Sequence, residues 1–202
     1  MRPGETPITQ VVIHDYGDQT LVFEVRGLKT AAYKAAPIGV VFEGQEGYMV
    51  SASYDAAVFD KEGKLGQEFS GGGEAAHYNN FISAVRSRDI VKLNADILQG
   101  HISSALCHLG NISYRLGKPI GVDETKQRLS SLKVSDNVVE TFDRTCQHLV
   151  DNGVDFKQTR LRVGPWLAFN PKDETFVDNS TADSLLTREY RSPFIVPSPG
   201  QV

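Results

Sequence analysis

Hydrophobic and polar positions along the chain change period about a third of the way in. Residues 8–17 and 19–28, "ITQVVIHDYG" and "QTLVFEVRGL", are rich in β-branched and aromatic residues and are separated by Tyr16-Gly17-Asp18, a turn signal. In the second run Leu21, Phe23 and Val25 alternate with Val22, Glu24 and Arg26, the period of two that suits a sheet with one buried face. "PIGVVFEG" (37–44) and "GYMVSAS" (47–53) read as a hairpin through Gln45-Glu46, and "AAVFD" (56–60) turns towards "LGQEF" (65–69). Five or six strands with short turns predict a mostly antiparallel meander over residues 1–69.

After "SGGGEAA" (70–76) the spacing becomes helical. Tyr78, Phe81, Ile82 and Val85 recur at three to four residues within 74–89. The longest helical pattern occupies 93–119; it starts near Asn94 or Asp96, both good N-cap types, and stops at Gly117 with Pro119 beyond. A third helix lies within 134–153, with Asp136 as its cap, Val139, Phe142, Cys146 and Leu149 as its stripe and Gly153 as its stop. Residues 154–202 are less regular: an extended stretch around Trp166, a short Ser- or Thr-capped helix in "STADSLLTREY", and the Pro-rich "RSPFIVPSPG". The pattern predicts one α+β domain over 1–202, an open and mostly antiparallel sheet in the N-terminal third with helices (74–153) covering one face.

Composition narrows the function classes. The 202 residues carry a formal net charge of −4, and the 21 Lys and Arg are scattered, which argues against nucleic acid as the partner. No run approaches 18 apolar residues and "MRPGETPITQ" has no apolar leader core, so the expectation is a cytoplasmic chain without a membrane partner. Cys107 and Cys146 lack CxxC spacing and read as isolated thiols. The glycines of 71–73 read as a joint between sheet and helices, because GxGxxG and GK[ST] are both absent.

The longest helix poses the main question, because it carries His101, Cys107 and His108. A metal site, a catalytic base and a polar flank are all open. At about 100° per residue, His101, Ser104, His108, Asn111 and Arg115 form a stripe beside the apolar one of Ile102, Leu106, Leu109, Ile112 and Leu116. Two histidines seven residues apart are roughly 10 Å apart along the axis. One metal ion needs ligand atoms at about 2 Å, so the pair cannot clamp an ion unaided. A hydrolase built on His77, His101 and His108 would need ligands from other segments, and no metal ligand is assigned. Asp96 reads as a cap, Trp166 as a core or interface anchor, and "TREYR" (187–191) as a surface ion-pair cluster.

Several blocks, in order, resemble the C-terminal part of bacterial Gfo/Idh/MocA-family oxidoreductases, the relatives of glucose–fructose oxidoreductase and inositol dehydrogenase. They are "GETPITQVVIHDYGDQTLVFEVRGL", "HYNNFISAVRSRD", "LNADILQGHISSALCHLGNISYRLGKPI", "NGVDF…LRVGPWLAFNPKDETFV" and "LLTREYRSPFIVP", nearly the whole chain. The resemblance implies an open, largely antiparallel sheet with helices on one face and an oligomer contact on the other. It also implies NAD(P)-dependent hydride transfer on a sugar or polyol, with the cofactor held by a Rossmann half. That half has no counterpart here: there is no GxGxxG after a first strand and no Glu-Lys-Pro motif, and Lys118-Pro119 merely ends a helix. His14-Asp15 does not match the family's aspartate and histidine segment, so no catalytic residue is assigned.

The resulting expectation is a substrate and oligomerisation domain that binds no cofactor alone. It would self-associate through its sheet face or work with a separate Rossmann chain. His77, His101, Ser104, His108 and Asn111 are then candidates for a cleft or domain interface. The alternatives are a non-catalytic carbohydrate-binding or assembly module and, last, the metal-dependent hydrolase.

Overall fold

The computed structural model describes residues 6–197. In chain order the elements are β1 (Thr9–Asp15), β2 (Thr20–Arg26), β3 (Val40–Glu43), β4 (Gly47–Ala52), β5 (Asp55–Asp60), β6 (Leu65–Ser70) and helix α1 (Gly73–Ser87). A 3-10 turn (Ile90–Lys92), α2 (Ile97–Leu116), β7 (Lys118–Ile120), α3 (Val122–Ser130) and α4 (Val138–Asp151) follow. The last are β8 (Leu161–Val163), β9 (Phe169–Asn170), β10 (Thr175–Phe176) and α5 (Ser180–Asp183). Helices and antiparallel sheets together make this an α+β fold.

The expected meander is divided. β1 and β2 form a two-stranded hairpin, β3-β4-β5-β6 form a separate four-stranded antiparallel sheet, and β7–β8 and β10–β9 are short antiparallel pairs. The break falls at 27–39, where Gly27, Pro37 and Gly39 interrupt the strand pattern and only an isolated bridge joins Tyr33 to Ala36. The chain forms two compact units: residues up to Leu28 with those from Ser104 onward, and Lys29–Ser103 between them.

In the first unit the hairpin register pairs Val11 with Glu24 and Val12 with Phe23, so these two pairs point to opposite faces. The odd-numbered side of β1 meets α4: Thr20 and Ser135 hydroxyls lie 2.8 Å apart, and Arg144 Nη2 donates to Glu24 Oε2 at 2.9 Å. The even-numbered side meets α2, where Gln10 Nε2 donates to the Gly110 carbonyl at 3.4 Å. A Cβ on Gly110 would lie 2.5 Å from Val12 Cγ2, so only glycine permits this approach. A small core of Ile112, Phe176 and Ala182, flanked by Leu109, Leu116, Leu167, Phe169 and Leu185, holds the C-terminal segment on α2. Phe169 and Phe176 meet edge to face at 5.3 Å.

α4 is rotated from its expected orientation. Its buried residues are Val138, Thr141, Phe142, Thr145 and His148, while Val139, Cys146 and Leu149 are half-buried. The helix packs against α3 as well as the hairpin, and this draws a second stripe of small polar residues inside. The cap is Asn137, whose Oδ1 accepts from Glu140 N at 3.1 Å, rather than Asp136. α3 was not anticipated from periodicity. α2 starts after Asp96, whose Oδ1 accepts from Leu98 N at 2.6 Å, and stops at Leu116 before Gly117. The short C-terminal helix is capped by Asn179, not by Ser or Thr, its Oδ1 accepting from Ala182 N at 3.0 Å.

In the unit Lys29–Ser103 the sheet has two unlike faces, set by register. Val40, Phe42, Met49, Val58 and Phe69 share one face; Val41, Val50 and Ala57 share the other. Tyr48 and Phe59 stack at 5.1 Å on this second side, and Lys34 Nζ sits 3.6 Å from the Tyr48 ring centroid while pairing with Glu43 at 2.6 Å. Of the strand residues in this sheet only Val50 is buried.

Candidate functional site

His77 lies on α1 and is exposed, as is His101 in the first turns of α2; both belong to the unit Lys29–Ser103. Ser104, His108 and Asn111 follow on α2 within the other unit. The helix brings these three onto one face at spacings of four and three residues. Ser104 and His108 are exposed and Asn111 is half-buried, with its Oδ1 enclosed and without a hydrogen-bond partner. Such a face can donate and accept hydrogen bonds to hydroxyls, the chemistry of a polyol or of a polar protein contact. No group of three or more His, Cys, Asp or Glu side chains able to hold a metal ion occurs among the described residues.

Three groups to which the sequence analysis assigned no role carry the more unusual chemistry. His14 has its Nε2 buried without a partner, and burial holds its pKa below the usual imidazole value. His148 is buried on α4 with Nε2 likewise unpartnered, its Nδ1 lying 3.4 Å from Asn152 Nδ2. The third is a partly buried charge network. Glu24 lies 3.1 Å from Arg26 Nε and 2.9 Å from Arg144, and Arg144 also donates to Thr141 Oγ1 at 3.0 Å. Alternation in β2 marked Glu24 as lying opposite Leu21 and Phe23, but no local signal identified its partner.

Cys146 is half-buried, and its thiol is pushed up to about 11 by burial and then by Asp143, leaving it protonated and unreactive at neutral pH. Cys107 is exposed, and both cysteines are free thiols. Trp166 is 55% exposed, so it is not a core anchor of this chain. In "TREYR", Arg188 lies over Tyr190 and Arg191 over Phe194, in place of the expected ion pairs with Glu189.

A groove of about 460 Å³ lies beside β7 and β8, with Leu116, Ile120 and Val163 in its lining and Lys118, Glu124 and Arg128 among its charged groups. Glu124 and Arg128 satisfy each other at 2.7 Å. Every strand pairing among the described residues is antiparallel. The parallel βαβ crevice of a Rossmann-type dinucleotide site does not occur among the described residues. No helix among them is long and apolar enough to cross a membrane. Comparison of the chain with protein-family models, with curated proteins and with solved structures returns no match.

Proposed function

We propose that this chain is the substrate and oligomerisation part of an NAD(P)-dependent oxidoreductase of the Gfo/Idh/MocA type, acting on a sugar or polyol in the cytoplasm and not catalytic by itself. The observation that carries the assembly half of this reading is the apolar face of the four-stranded sheet. Val40, Phe42 and Phe69 stand on it in water, Phe42 at 54% exposure, in register with Met49 and Val58, and Asp60 lies on the same face at its Gly47 end. A face of that kind is stable in solution when a second protein surface covers it. The oxidoreductase half rests on the resemblance of the ordered sequence blocks. The hydrogen-bonding face of Ser104, His108 and Asn111 is compatible with a polyhydroxy ligand.

Titration with NADH and NADPH, followed by nicotinamide fluorescence, tests the reading. The chain alone is expected to give no saturable binding, whereas a Rossmann-domain chain co-expressed with it should bind cofactor and acquire polyol dehydrogenase activity. Saturable binding to the chain alone would overturn the division of labour. The same sheet face also favours a non-catalytic assembly module, which is the answer if no Rossmann chain gains activity but the protein still assembles.

A further inference from the structure

Residues 33–36 fold back on themselves as a minimal hairpin. Tyr33 N donates to the Ala36 carbonyl at 3.2 Å and Ala36 N to the Tyr33 carbonyl at 2.8 Å, closing a single bridge. The two residues between them, Lys34 and Ala35, are both left-handed, with φ of 45° and 64°. A two-residue turn of that hand is the natural place for Asn-Gly, because a Cβ crowds the backbone there. Lys-Ala therefore works against the turn it makes, and one bridge is too little pairing to hold it in water. Backbone of this kind persists where its surroundings fix it.

The fixing comes from the four-stranded sheet. Glu43, Tyr48 and Phe59 stand in one cross-strand row over β3, β4 and β5, on the same face as Val41 and Val50. Lys34 reaches down to this row, its Nζ 3.6 Å from the Tyr48 ring centroid and 2.6 Å from Glu43 Oε1, with only 24% of the side chain exposed. Phe59 backs the Tyr48 ring by stacking on it. Both contacts of the ammonium depend on its charge, one with a ring face and one with a carboxylate. Beside them Ala36 is buried. A Cβ on Gly39 would lie 3.3 Å from Ala36 Cβ and 2.5 Å from the Ser51 carbonyl oxygen, so the segment is drawn down close to β4.

We infer that residues 29–39 are a strap latched onto this sheet face by the charge of Lys34, with Tyr48 and Glu43 as the catch. With the ammonium seated, the left-handed turn is held and Ala36 stays buried. With the charge removed, Lys34 and Ala35 relax to ordinary backbone and the strap lifts from the Tyr48–Phe59 stack. The device is a local two-state element biased by one charge. It lies on the opposite face of the sheet from the one proposed above for assembly and does not depend on that reading.

Amide hydrogen exchange followed residue by residue by NMR tests it, with the amides of Tyr33 and Ala36 as reporters and those of the β4–β5 ladder as the control. Lys34→Gln should lower the protection of both reporters about tenfold while the ladder keeps its rates. Lys34→Arg, which keeps the charge and can lie on the Tyr48 ring, should hold protection near that of the native chain. Glu43→Gln should lower it by a smaller factor, since the ring contact remains. In the Lys34→Gln background, Ala35→Gly should restore part of the protection, because glycine takes the left-handed position without strain. Unchanged protection in Lys34→Gln would overturn the latch. An equal loss in the ladder would overturn it too, by making Lys34 a support of the whole sheet, and so would the absence of any recovery with Ala35→Gly.

Discussion

Glu24 and Arg144 stand 120 residues apart in sequence and are joined at 2.9 Å across the interface between the β1–β2 hairpin and α4. Both side chains are largely withdrawn from water, and Arg26 shares the same carboxylate at 3.1 Å. Removing one member of such a group leaves the others charged and poorly solvated, which costs more than the pair contributes.

Glu24→Gln is therefore expected to lower unfolding stability by about 2 kcal/mol. Glu140→Gln, whose carboxylate is 3.5 Å from Arg144 and mostly in solvent, should change it far less. Urea denaturation of the two variants checks the contrast, and equal losses would refute a special role for Glu24.

Gly110→Ala should destabilise the same unit by about 1–3 kcal/mol, because the new methyl group collides with Val12. Val12→Ala should cost stability alone but recover part of the loss in the double variant. Additive losses in a double-mutant cycle would show that the two positions do not meet.

His14 sets a direction with pH. Its pKa in the folded state is lowered by burial, so below the ordinary value of about 6.5 the unfolded chain binds the proton more tightly than the folded one. The stabilisation is present above that value and is lost as pH falls through the lower, folded-state pKa. Urea midpoints measured from pH 7.5 down to 5 should decline more in the native protein than in His14→Gln, and parallel profiles would discount the effect.

The two thiols should separate by reactivity. Iodoacetamide at pH 8 is expected to modify Cys107 quickly and Cys146 only after unfolding, since burial and Asp143 keep the latter protonated. Mass spectrometry of tryptic peptides over time checks the order.

Period-two and period-3.6 patterns made six strands and three of the helices legible, because each is set by local alternation and by nearby caps such as Asp96. The partition of the strands was not legible: whether β2 pairs onward to β3 depends on the path of residues 27–39, and local propensity does not encode that path. The inward face of α4 was missed for a related reason. Thr141, Thr145 and His148 are polar, and only contact with two neighbouring layers makes them buried. His101, Ser104 and His108 were readable as a shared face from spacing alone, whereas the burial of His14 Nε2 depends on residues far along the chain.

The hairpin belongs to a unit whose remaining residues begin at Ser104, and α4 starts only at Val138. On a ribosome adding about 5–20 residues per second, the 120 residues from Glu24 to Arg144 take roughly 6–24 s to appear. A two-stranded hairpin without a packing partner is marginal in water. During synthesis β1 and β2 are thus a nascent segment awaiting its helix, and the intervening Lys29–Ser103 has time to organise its own sheet first.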